Sequence, residues 1–104
     1  MATMFSISDD PKQKKSRSGE VKVQNTDMSD DMLQEAIRVA QLAIARYKMD
    51  VDIAKHIKEY FDDKYSPVWN CIVGKNFGVF VTHQASNFAH FYVGSKAVVL
   101  FKGL

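Results

Sequence analysis

The apolar residues of this chain change their period once, at Ser66-Pro67. Upstream, Leu33, Ala36, Ile37, Ala40, Ala43, Ile44 and Tyr47 recur at helical spacing, and Ile53, Ile57, Tyr60 and Phe61 repeat the pattern. Downstream, the pattern changes to a period of two. A stripe with a period near 3.6 cannot serve as one face of a sheet, nor an alternating run as one face of a helix. The chain must therefore gather its helices before Pro67 and most of its strands after it. Proline sharpens the break, because the residue before it avoids helical dihedrals.

Local signals set the boundaries. Val21 and Val23 alternate within a short strand over 20–24. Ser29 caps a first helix, and Asp30 and Asp31 suit its positive end. Asp50 is placed to cap a second helix, with Asp52 in its first turn. Strands follow over 68–73, 77–83, 88–93 and 97–102, separated by Gly74-Lys75-Asn76, by residues 84–87 and by Gly94-Ser95. Helices and strands are segregated, so the predicted class is α+β, with two helices packed on an antiparallel sheet. Residues 1–19 are polar and read as a disordered tail, leaving one domain over 20–104.

Charge excludes one class of partner. From Glu20 onward ten Lys and Arg balance ten Asp and Glu. A nucleic-acid binder needs a basic face, so none is expected to bind here. No run approaches the about 18 apolar residues of a membrane span, so no membrane insertion is expected. One cysteine, Cys71, cannot form an internal disulfide and fits a reducing compartment.

Catalytic chemistry has little to stand on. His56, His83 and His90 show no short metal-ligand spacing with Cys71. Cys71 alternates with Trp69 and Val73, where a buried, inert thiol is the plain reading. Asp30-Asp31 and Asp62-Asp63 are neighbours on helices, and neighbours diverge rather than converge on a substrate. No catalytic residue, cofactor or metal is expected. A binding role is the better class.

The run "NFGVFVTH", Asn76 to His83, is the conspicuous binding candidate. It is apolar, β-branched and aromatic, with Gly78 inside it. Such a strand pairs readily with other chains. On the strand over 88–93, Phe88, His90 and Tyr92 fall on one side and Ala89, Phe91 and Val93 on the other. Both faces of the sheet are thus partly apolar. Either a partner covers the second face or the core is simply crowded.

"HIKEYFDDKYSPVWNCIVGKNFGVFVTH", His56 to His83, closely resembles the core of the eight-kilodalton cytoplasmic dynein light chain family. The resemblance continues through "FYVGSKAVVLFK" and "NTDMSDDM" and covers Val21 to Gly103. It implies a strand-exchanged homodimer, without enzymatic activity, that serves as a hub for short linear segments of other proteins. The strand over 77–82 would cross to the partner's sheet, with Glu59, Asn70, Phe80, Val81, Thr82 and His83 at the dimer interface. Clients would add a further strand beside the second helix. The implied groove runs from Asp50 and Val51 along Lys75, Asn76, Phe77, Gly78, Val79, Phe80, Val81, Thr82 and His83, with Phe88, His90 and Tyr92 lining it. Implied partners are the dynein intermediate chain and other proteins with Gln-Thr motifs. The implied location is the cytoplasm, on the microtubule cytoskeleton.

The sequence also differs from the family pattern it resembles. Val51 replaces a lysine, His90 and Phe80 replace tyrosines, Lys75 replaces an arginine and Asn70 replaces a histidine. Gly103 stands where a phosphorylatable serine can occur, so that switch is expected to be absent. The alternative reading is an adaptor independent of the motor, with the dimer retained and other clients bound.

Overall fold

The computed structural model describes residues 20–104. The expected disordered tail, residues 1–19, lies outside the described residues. The order of elements is β1 (Val21–Thr26), α1 (Asp30–Arg46), α2 (Asp50–Tyr65), β2 (Trp69–Gly74), β3 (Phe88–Val93) and β4 (Lys96–Lys102). The strands form one sheet in the order β1-β3-β4-β2, and every pairing is antiparallel. The predicted α+β class holds, with both helices on one face.

The helix starts follow from the sequence in one case and not in the other. The Ser29 side chain accepts a hydrogen bond from the Met32 amide at 3.3 Å, and Asp30 and Asp31 occupy the first turn of α1. For α2 the expected cap is corrected. Met49 holds the cap position without a side-chain hydrogen bond, and Asp50 is the first helical residue. Asp50 instead reaches Lys96, its carboxylate 2.8 Å from the ammonium. Ser66, at φ 71°, ends α2 in a backbone region unfavourable for a residue with a side chain.

Ala36, Ile37, Ala40 and Ala43 of α1 and Ile53, Ile57 and Phe61 of α2 face the sheet. They meet Trp69, Ala89, Phe91, Val93, Val98 and Leu100, with Val21 and Val23 at the edge. The Phe61 ring stands edge-on to Trp69, centroids 5.0 Å apart. Small residues dominate the buried face of α1, and the aromatic pair packs between α2 and β2.

On the helix surface, Glu35 of α1 accepts from Arg38, Tyr60 and Lys64, the last two on α2. Arg38, then Tyr60 and Lys64, hold its carboxyl at about 2, below the usual 4.5. The cluster ties the two helices together at the surface. Its solvent-exposed cations limit what it contributes.

One predicted strand is absent. Residues 77–83 make no ladder, although the sequence predicts a strand there. A strand exists only where an edge accepts it, and this segment does not meet an edge of its own sheet. It crosses the outer face instead. The Phe77 ring stacks on His90, with centroids 6.2 Å apart, and the His83 ring on Phe88 at 4.8 Å. The period of two survives without the ladder. Phe77, Val79, Val81 and His83 are half-buried, while Gly78, Phe80 and Thr82 are exposed.

Candidate functional site

The site begins with the outer edge of β2. Among the described residues, that strand has β4 on one side and no strand on the other. It comprises Trp69 to Gly74, and its side chains divide between two environments. Trp69, Cys71 and Val73 turn toward the helices and pack on the core. Asn70 and Ile72 are exposed on the outer face. Burial pushes the Cys71 thiol far up from its usual range, so it stays protonated and unreactive. An open edge with inert side chains suits backbone pairing rather than chemistry.

The other edge of the sheet, β1, is less suited to accept a strand. Its register to β3 is irregular between Val23 and Asn25, and it carries Lys22. A bulge and a charge are ordinary ways of protecting an edge.

Directly after β2 comes the segment without a ladder. Lys75 and Asn76 are exposed in the bend that opens it. Phe80 is fully exposed, which is unusual for so large an apolar side chain. At Gly78 a built Cβ would meet no atom within 4 Å. Within a single chain nothing therefore requires glycine at this position.

The far end of the segment is fastened. The Gln84 amide donates to the Lys102 carbonyl at 3.0 Å, and the Lys102 amide donates to the Asn87 carbonyl at the same distance. Asp27, from the connection between β1 and α1, accepts the Ser86 amide at 2.9 Å and the Phe88 amide at 3.0 Å. Ser86 has φ 67°, so the turn into β3 is held in a costly conformation by these bonds. The chain between Lys75 and His83 is thus an arm hung between two anchored ends.

The aromatic residues under the arm share one face of β3. Phe88, His90 and Tyr92 are half-buried and alternate with the core residues Ala89, Phe91 and Val93. The His90 and Tyr92 rings lie 5.7 Å apart. Burial lowers the His90 pKa below 6.5, favouring the neutral ring. On the same face, Val99 pairs with His90 and Ala97 pairs with Tyr92, and both are buried. The outer face of the sheet is therefore apolar at its centre.

The sequence-predicted residues fall into three places. Asp50 and the exposed Val51 stand at the start of α2. Phe77 to His83 form the arm, and Phe88, His90 and Tyr92 lie beneath it. Asn70 is exposed on β2, opposite Phe101, and Glu59 is exposed on α2. Phe77 and His83 are brought onto the β3 aromatic face by stacking. Sequence reasoning missed Asp27, Asp62 and Lys96, whose partners are distant in sequence or are backbone amides. Among the described residues no three His, Cys, Asp or Glu side chains gather as metal ligands. None of their helices is long and apolar enough to cross a membrane.

Comparison with known proteins agrees with this architecture. Residues 20–103 match the family described as dynein light chain type 1. Among solved structures, the dynein light chain-like domain of the calcium binding protein FhCaBP2 from Fasciola hepatica superposes with a TM-score of 0.71 at 22% identity, covering 81% of this chain and 92% of that one. A native crystal of the same domain gives 0.70 at 18% identity, covering 88% and 97%. The dynein light chain-like domain of CsTAL3 gives 0.65 at 13% identity, covering 79% and 90%.

Proposed function

Because the chain belongs to the dynein light chain type 1 family, we propose that it is a non-enzymatic homodimeric hub that binds linear segments by strand addition. One observation carries the reading: an arm with a strand's alternation but no ladder follows, along the chain, a strand whose outer edge is open. Two copies resolve both at once. Each arm pairs with the other copy's β2, a reciprocal contact of the kind a two-fold dimer requires. Phe80, fully exposed on the single chain, then gains a covered environment in the dimer, with Asn70 and Glu59 bordering the contact.

Once exchanged, the arm has a second edge of its own. A client segment adds there, beside Asp50 and Val51 at the start of α2. Backbone pairing supplies affinity, and pockets for alternate side chains supply specificity. Clients with Gln-Thr motifs, the dynein intermediate chain among them, fit this mode. The implied setting is the cytoskeletal motor complex in the cytoplasm.

Two grooves in one dimer predict avidity. A dimeric client should bind about a hundredfold or more tighter than its monomeric peptide, because the second segment is tethered. Calorimetry with a Gln-Thr peptide, free and fused to a coiled coil, measures this. Equal affinities would count against paired grooves. A second reading, an adaptor outside the motor, is favoured by the exposed, apolar Val51 and by His90 in the groove wall. Co-purification decides between the two: recovery of intermediate chain supports the motor, and its consistent absence supports the adaptor.

A further inference from the structure

The edge of β2 is open, but it is not open along its whole length. Across the inner side of the strand, the Gly103 amide donates to the Val68 carbonyl at 3.1 Å. In an antiparallel ladder, residues whose N–H and C=O face a neighbour alternate with residues whose groups face away. Val68 faces β4, so Trp69, Cys71 and Val73 face the open side. The Trp69 amide already has a partner there. It donates to Asp62 Oδ1 at 2.7 Å.

That carboxylate is held firmly. Lys58, one turn earlier on α2, pairs with the other Asp62 oxygen. Partial burial works against the charge, but Lys58 and the Trp69 amide outweigh it and keep the carboxyl below its usual range. The Trp69 ring cannot carry its backbone away from Asp62. It is fully buried, 5.0 Å from the Phe61 ring and 6.3 Å from Tyr65. The N–H of the first outward rung is therefore taken by a side chain of the same subunit, so a second copy cannot complete that rung.

We propose that Asp62, by occupying the Trp69 amide, fixes the register in which a second copy's 77–83 arm joins β2 and confines new rungs to Cys71 and Val73. This rests on the strand-exchange reading above. The device answers a specific problem. A slip of one residue would turn every side chain of the arm to the wrong face, so alternation forbids it. A slip of two residues leaves every side chain on its face, and alternation cannot forbid that. An occupied rung can. An arm that slid two residues toward Trp69 would have to displace a carboxylate from a charge-assisted bond and leave it without its amide.

Register can be read in a dimer mixed from differently labelled copies, by contacts between amides of the two subunits and by amide exchange. In the unmodified protein, Cys71 and Val73 should show contacts between subunits and slow exchange that depends on dimerisation. Trp69 should show no such contact, and its slow exchange should be the same before and after dilution to monomer. In Asp62→Ala the contacts should extend to Trp69, or a second set of cross-peaks should appear, displaced by two residues. Asp62→Asn, which keeps an acceptor, should retain one register. A contact between subunits at the Trp69 amide of the unmodified protein overturns the inference, and that measurement needs no variant to fold. A folded Asp62→Ala dimer with one unchanged register overturns it as well. A chain that sediments as a monomer, with β2 amides indifferent to added Gln-Thr peptide, overturns the strand-exchange reading itself.

Discussion

Two neighbouring stretches of this chain have the same sequence character and different structural fates. Trp69–Gly74 and Phe77–His83 are both apolar, β-branched and aromatic, and both alternate. The first is laddered to β4 along its length. The second has no ladder and lies across the outer face through the rings of Phe77 and His83. Composition does not separate them. The difference is the supply of edges: β2 finds β4, whereas the arm meets a face. Strand character in a sequence states what a segment will do when an edge is offered, and a single chain need not offer one.

If that contrast is right, equal truncations in the two stretches should have unequal consequences. Trp69→Ala removes a fully buried ring from the core and should cost about 3–5 kcal/mol of folding stability. Phe80→Ala removes a fully exposed ring and should change the stability of the single chain by under about 0.5 kcal/mol. Its cost should appear on association instead, at about 1 kcal/mol or more if Phe80 becomes a central contact of the dimer. Urea unfolding of each variant, run beside sedimentation, checks both halves. A strongly destabilised Phe80→Ala monomer would break the contrast.

The next effect separates folding from client binding within the arm. A side chain at Gly78 meets nothing in the single chain, so Gly78→Val should fold normally. A client backbone added beside the arm would meet that side chain. Affinity for a Gln-Thr peptide should fall by at least about tenfold, or about 1.4 kcal/mol. Calorimetry on the folded variant reads this directly, and unchanged affinity would move the groove elsewhere.

The same contrast explains what could be read from the sequence. The stripes of α1 and α2, the stop at Ser66-Pro67 and the alternation of β2, β3 and β4 are local, and local patterns were legible. β1 extends to Thr26 rather than stopping at Gln24, because Asn25 and Thr26 pair with His90 and Ala89 across an irregular register. No local pattern encodes that. Asp50 carries the composition of a cap, yet its partner, Lys96, is 46 positions away. Asp27 fastens the arm across 59 and 61 positions. Asp62 binds only 7 positions ahead, but to a backbone amide, which leaves no mark on residue type. The strand character of the arm is legible in its alternation, but the single chain shows no ladder for it, since the edge it needs belongs to the proposed second copy.

The smallest expected effect is set by acid, and it should fall on the arm rather than on β2. Asn70, exposed on β2, takes up no proton, and that strand carries no histidine. The arm lies on His90, whose pKa burial lowers below 6.5. The unfolded chain therefore binds this proton more readily than the folded one. The stability linked to His90 is present above pH 6.5 and declines as pH falls toward the lowered value. The packing of Phe77 on His90 should loosen over that range while the β2–β4 ladder is unchanged. Amide protection along the two stretches, with the intrinsic slowing of exchange in acid divided out, should fall in the arm alone between neutral pH and about pH 5, a span that brackets the ordinary histidine range. Sedimentation across the same range should find the dimer persisting, since Asn70 contributes no charge at the contact. Asn70→His should introduce dissociation in acid. Acid dissociation of the unmodified dimer would mean that a group other than position 70 governs assembly, on the arm or on the β3 face beneath it.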